Sequence, residues 1–179
     1  MSDTALLVID MFNAYRHPDA GKLVVSVADM VEPLSALVAR AQHRDDVDLI
    51  YVNDNYGDFT ADQHAIIGAA LDGARPDLVK PLVPSSGATF LTKVRHSVFY
   101  ATPLDYLLGR LHTQRIILTG QVTEQCILYT ALDAYVRHFT VVVTPDAVAH
   151  LDADLGDAAL KMMHRNMNAD IVPAAECLA

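Results

Sequence analysis

Tryptophan is absent, cysteine occurs twice, and lysine and arginine total 13 against 22 acidic residues. Each shortage removes a class of protein. Two cysteines cannot build a disulfide framework, so a reducing compartment suits the chain and cytoplasm is the expected location. A formal charge of −9 argues against a nucleic-acid partner, because neutralising phosphates needs clustered lysine and arginine. No apolar run approaches the length that spans a bilayer, so no membrane partner is expected. The opening Met-Ser-Asp-Thr lacks a basic stretch, a long apolar stretch and a small-residue cleavage site, and no secretory leader is expected. Low-complexity tracts and internal repeats are also missing, which excludes a solenoid. The 52% hydrophobic content must therefore fill a core or a subunit interface, and 179 residues suit one domain, taken as 1–179.

What is present alternates. Unbroken apolar runs at Thr4–Ile9, Asp48–Val52, Thr89–Thr92, Arg115–Thr119, Phe139–Thr144 and Ala169–Val172 read as buried strands. Between them, helical spacing of apolar residues predicts helices over Val27–Ala41, Leu104–Leu111, the stretch from Cys126 to Val136, and Leu155–Met167. Pro33 is compatible with the first of these only in its opening turn. Tyr56–Ser86 has no sustained period and reads as a loop with one short helix near Ala61–Leu71, a length usual for lids or interfaces. Alternating β and α with non-alternating apolar strands implies an α/β fold. It should be a three-layer α/β/α sandwich on a six-stranded, mostly parallel, Rossmann-like sheet.

Cys126 is the residue that carries chemistry. The strand Arg115–Thr119 closes at Gly120, and a helix follows with Thr123 as its expected N-cap. Cys126 then falls in the first helical turn, where unpaired N–H groups and the positive end of the macrodipole favour a thiolate. A cysteine in apolar surroundings is more often a small hydrophobe, but position separates the two cases. Ligands bind at the carboxyl ends of parallel strands, and Cys126 faces that edge. Cys177, outside any periodic segment and two residues from the end, reads as a poorly ordered terminus without a role.

Asp10 and Lys93 also stand at strand carboxyl ends, so a parallel sheet brings both to the same crevice as Cys126. Alone, a strand-end aspartate caps a loop and a lysine decorates a surface. Together they supply a nucleophile, a base for its proton and a cation that holds the pair ionised.

These residues lie in three ordered motifs: Leu6-Leu-Val-Ile-Asp10-Met-Phe-Asn13-Ala-Tyr15, Lys93-Val-Arg-His-Ser97-Val-Phe99-Tyr-Ala-Thr102-Pro-Leu-Asp105, and Gly120-Gln-Val-Thr-Glu-Gln-Cys126. Their order and spacing resemble the isochorismatase-like cysteine hydrolase superfamily, which includes nicotinamidases, N-carbamoylsarcosine amidases and ureidoacrylate-type amidohydrolases. The resemblance implies Asp10 as general base, Lys93 as assisting cation and Cys126 as nucleophile on a six-stranded parallel sheet. It also implies a cis peptide between Gln121 and Val122 that aims the Val122 and Cys126 amides into an oxyanion hole. Further pocket residues are expected from Gln121, from Phe12 two places after Asp10, from Asn53, and from Tyr100.

Members that cleave the vinyl ether of isochorismate lack the cysteine, so Cys126 places the resemblance with the amidase branch. Nicotinamidases carry an Asp-x-His element and a further histidine that bind a metal, whereas the corresponding segment reads Asn53-Asp54-Asn55-Tyr56-Gly57-Asp58 and on to His64. Asp54, Asp58 and His64 are not expected to hold a metal, and no cofactor is expected. The eight histidines read as scattered surface or interface residues. The leading expectation is a metal-independent cysteine hydrolase that cleaves a small amide, ureido or carbamoyl C–N bond through a thioester. A hydrolase of another acyl or enol-ether substrate, and a non-catalytic binding member, remain open beside it. A small-molecule substrate and a homo-oligomer are expected, with Tyr56–Ser86 and the aromatics Phe99, Tyr100 and Tyr106 as the interface.

Overall fold

The computed structural model describes residues 3–179; Met1 and Ser2, part of the segment read for a leader, lie outside the described residues. Six strands form one sheet: β1 (Thr4–Ile9), β2 (Val47–Asp54), β3 (Thr89–Lys93), β4 (Arg115–Gln121), β5 (Thr140–Ala149) and β6 (Asp170–Ile171). Their order is β3-β2-β1-β4-β5-β6 and every pairing is parallel. Adjacent β1 residues feed opposite cores. Leu6 and Val8 pack under α1 (Ala20–Ala41), while Ala5, Leu7 and Ile9 pack with α4 (Leu104–Leu111), α5 (Leu128–Val136) and α6 (Ala153–Met167). Burial on both faces is why the strands read as continuous apolar runs.

The order reverses at β1, whose neighbours β2 and β4 lead the chain away in opposite directions. A crevice opens at the carboxyl ends of β1 and β4, the usual ligand position in an open α/β sheet.

Three elements exceed the sequence reading. Helix α1 starts at Ala20, so Pro33 lies in its interior rather than its first turn. The apolar stripe Leu23, Val27, Met30 and Leu34 holds the helix together across the bond that Pro33 cannot donate, and the carbonyl left over belongs to exposed Asp29. Within 56–86 the short helix forms as α2 (Gln63–Leu71), capped by the Asp62 carboxylate on the Ala65 N–H. A second helix, α3 (Pro76–Val79), and a 3₁₀ turn (Lys80–Leu82) follow it and bury Leu78, Val79 and Leu82. Part of this segment is therefore helical and anchored on the core rather than loop. Strand β5 runs on past Thr144 to Ala149, through exposed Pro145 and Asp146, with a register shift against β4 between Leu118 and Gly120.

The C-terminal segment is also docked. Cys177 is buried, its Sγ donates to Ala174 O at 3.4 Å, and Arg115 donates to Cys177 O at 2.8 Å. Arg40 and Arg44 hold the carbonyls of Ala174 and Leu178. No described helix is long and apolar enough to cross a membrane.

Candidate active site

Chain geometry at the end of β1 and β4 sets the site. Asp10 follows β1 with a left-handed backbone, φ 56°. Its N–H donates to Val52 O at 2.9 Å, and its Oδ1 accepts the Asp54 N–H at 2.8 Å. Gln121 completes the clamp by donating its side-chain N–H to Asp10 O. In β4, Gly120 has φ 107° and lies so close to β1 that a Cβ there would sit 2.0 Å from Ile9 O. The next peptide, Gln121–Val122, is cis.

The chain then makes one π-helical turn, Thr123–Ile127, before α5, with Ile127 N–H donating to Val122 O at 3.1 Å. Cys126 lies in this turn. Val122, with extended backbone, occupies the cap position expected of Thr123, whose hydroxyl is instead buried without a hydrogen-bond partner. Lys93 is the last residue of β3, paired in register with Asp54 and only 1% exposed.

Asp10, Lys93 and Cys126 meet. Lys93 Nζ lies 2.9 Å from Asp10 Oδ2, 3.4 Å from Asp54 Oδ2 and 3.6 Å from Cys126 Sγ. The Asp10 carboxyl and the Val122 backbone amide both act electrostatically on the sulfur. Burial pulls the Lys93 ammonium down, but Asp10, Cys126 and Asp54 outweigh it, so its pKa stands above the ordinary lysine value. Burial pushes the Asp10 carboxyl up against the pull of Lys93. The thiol departs from the sequence expectation. Burial first and the Asp10 carboxylate second push Cys126 up to about 12, against Lys93 and the Val122 amide. The helix start does not deliver a standing thiolate: burial beside Asp10 favours the protonated sulfur.

A cavity of about 430 Å³ opens over the three side chains. Of the other expected pocket residues, Val122 and Gln121 line it, but the Gln121 side chain is occupied by Asp10 O and by Tyr15 OH at 3.4 Å. Phe12 does not reach it. Its ring is buried 6.0 Å from Tyr51 and 5.8 Å from Phe90, between centroids. Asn53 holds the Phe12 N–H at 2.9 Å and Phe12 O at 3.2 Å, so it braces the turn after Asp10. Tyr100 is exposed and lines a neighbouring cavity of about 480 Å³ with Arg95 and Phe59.

Asp54, Tyr56, Asn13, Gln125, His17 and His96 line the cavity without having been singled out as pocket residues in the sequence. His96 Nδ1 lies 3.9 Å from Cys126 Sγ and its ring packs 5.3 Å from Tyr129. Two of the histidines read as scattered thus converge here, from turns with no period to reveal it. Tyr56 donates to Phe12 O at 3.0 Å, across the mouth. Asp54 and Asp58 are occupied by Lys93, Tyr56 N–H and Thr60. Among the described residues, no three of histidine, cysteine, aspartate and glutamate are grouped to hold a metal ion.

Residues 4–176 match the family model described as the isochorismatase domain. The chain belongs to the isochorismatase family. It is an isochorismatase-like hydrolase, 31% identical over 170 residues to the uncharacterized isochorismatase family protein YaaI of Bacillus subtilis, covering 95% of this chain and 93% of that one. A ureidoacrylate amidohydrolase, RutB of Cronobacter turicensis, is 27% identical over 170 residues, covering 80% and 73%. Among solved structures, N-carbamoylsarcosine amidase from Thermoplasma acidophilum superposes with a TM-score of 0.75 at 27% identity, over 100% of both chains.

Proposed function

We propose that this hydrolase is a metal-independent cysteine amidohydrolase acting on a small amide, ureido or carbamoyl C–N bond, with Cys126 as nucleophile, Asp10 as proton carrier and Lys93 as the cation between them. The observation that carries the reading is the buried contact set around Lys93 Nζ, 2.9 Å from Asp10 and 3.6 Å from Cys126, beneath a cavity of small-molecule size. The names of the amidohydrolase and amidase relatives support the same bond class.

The chemistry runs in two halves. Asp10 takes the thiol proton as Sγ attacks the carbonyl carbon, and the carbonyl oxygen becomes an oxyanion facing the Val122 and Cys126 amides. Such a donor contributes about 3 kcal/mol in the transition state. The tetrahedral adduct collapses, Asp10 gives its proton to the departing nitrogen, and ammonia or an amine leaves behind a thioester. Water then attacks; Asp10 takes its proton and returns it to Sγ as the thioester C–S bond breaks. Lys93 stays charged throughout and steadies first the carboxylate, then the thiolate. Metal independence is supported by the engagement of Asp54 and Asp58 with protein partners.

The test is ammonia release across small amides, ureido acids and carbamates. Cys126→Ala should abolish turnover with the circular-dichroism spectrum unchanged, and wild-type turnover should survive exhaustive chelation. Turnover retained by the variant sinks the covalent route, and loss restored by zinc or manganese sinks metal independence.

A further inference from the structure

The charge around Cys126 bears on which amides can enter. Six ionisable side chains besides the thiol and Tyr56 line the cavity: Asp10, Asp19, Asp54, Lys93, His17 and His96. Lys93 is the one permanently charged cation among them, and it is committed to Asp10 at 2.9 Å and Asp54 at 3.4 Å. No arginine lines this cavity; Arg95 belongs to the neighbouring one. Asp19 stands at the mouth, opposed by Lys22 at 3.4 Å, but both are more than half exposed and water screens that pair. The wall thus carries three aspartates against one lysine. Transferring the Cys126 proton to Asp10 leaves this balance unchanged, because a thiolate replaces the carboxylate. The whole chain, at −9, adds to the same sign.

We infer that the substrate is a neutral or cationic amide, and that amides bearing a carboxylate close to the scissile bond are excluded by the negative cavity wall. The inference rests on the amidohydrolase reading for its chemistry and on the lining residues for its selectivity. A carboxylate next to the reacting carbonyl would find Asp54 and Asp10 across the cavity and no unengaged lysine or arginine in its wall to receive it. A buried carboxylate without a partner is costly, so exclusion acts at binding. An amino or second amide group would instead find acceptors in Asp54 and the Asn13 and Gln125 side chains. Relatives named for ureidoacrylate, an anion, would then differ from this chain in what surrounds the nucleophile.

Two measurements test this on the intact protein at roughly pH 8. First, Cys126 is modified with trimethylammonioethyl methanethiosulfonate and with its anionic sulfonatoethyl counterpart, each rate read at the Cys126 peptide by mass spectrometry and divided by the rate on free mercaptoethanol. The cationic reagent should be favoured by about tenfold at low salt, and the preference should shrink at about 1 M salt. An equal or greater rate for the anion overturns the inference, as does a preference that salt leaves unchanged, which would be steric. Second, kcat/KM is compared for β-alaninamide, butyramide and succinamate, which differ in charge at matched length. Succinamate should be the poorest by about tenfold or more; succinamate as the best substrate overturns charge selection and leaves the amidase reading standing. A cationic preference at Cys126, with no ammonia released from these amides or from the wider screen of amides, ureido acids and carbamates, supports the charged wall and removes the amidase reading instead.

Discussion

Moving one proton from Cys126 Sγ to Asp10 conserves the net charge of the buried trio: carboxylate, ammonium and thiol become carboxylic acid, ammonium and thiolate. That exchange explains how a thiol held up near 12 can still be a nucleophile, since no free thiolate need accumulate. The sign of the pH dependence follows. Burial raises the pH at which Asp10 ionises; above it, modification of Cys126 by iodoacetamide should be nearly flat with pH, because the Asp10 carboxylate receives the proton during attack. A solvent-ionised thiol of high pKa would instead react about tenfold faster per pH unit, and Asp10→Asn should convert the flat profile into that rising one. A wild-type rate that already rises tenfold per unit refutes Asp10 as the acceptor. At this scale the sequence revealed Asp10, Lys93 and Cys126 because each ends or follows a strand at the same edge of the sheet. It did not reveal His17 or His96 as cavity residues, which come from turns where side-chain direction has no periodicity to read, nor Asp54, the last residue of β2. Phe12 and Asn53 show the opposite error: they sit beside functional positions in sequence, but the ring enters the core and the amide braces the backbone.

Elements meet the site through close backbone approach more than through side-chain packing. The contact between β1 and β4 is the tightest example, with Gly120 paired in register to Ile9 and a left-handed φ that side chains rarely adopt. Gly120→Ala should therefore cost more than about 3 kcal/mol in denaturant unfolding, combining backbone strain with a clash against Ile9 that only strand separation relieves. Because Cys126 and Asp10 follow those two strands, any folded fraction should also lose turnover; a stable and active variant would mean the strands can separate without disturbing the site. Glu124 ties a further element to the same turn, its Oε1 accepting the Leu151 and Asp152 N–H groups at 2.9 and 3.0 Å where α6 begins. Strand and helix identities were legible because long apolar periods dominate them. Boundaries were legible only where punctuation agreed with tertiary structure: Pro33 suggested a start inside α1, Pro145-Asp146 suggested an end inside β5, and α3 is too short to establish a period.

The molecule as a whole leaves large apolar side chains uncovered in more than one place. Residues 56–86 bury Ile66, Ile67, Leu78 and Leu82, and Phe99 is enclosed by Phe139 at 6.1 Å and the Arg137 guanidinium at 4.7 Å. Tyr56, Phe59, Val83 and Tyr100 stay exposed in and beside that segment, and a second run lies on α5, where Tyr129, Leu132, Tyr135 and Val136 recur at helical spacing, with Tyr106 on α4. Arg137 bonds Asp105 at 3.4 Å, so the two helices present adjoining faces. Aromatic residues with polar tips, surrounded by charge, are the composition of an interface core, and a closed pair of identical faces is the simplest way to cover them. His96 packs on Tyr129 at 5.3 Å, so an assembly on this face would abut the wall of the Cys126 cavity. Sedimentation at micromolar concentration should show a dimer or larger closed oligomer, and Leu132→Asp with Tyr135→Asp should shift it to monomer while the circular-dichroism spectrum stays the same. A wild-type monomer refutes the assembly. An oligomer that the double variant leaves intact places the contact on another face and frees the α4–α5 surface.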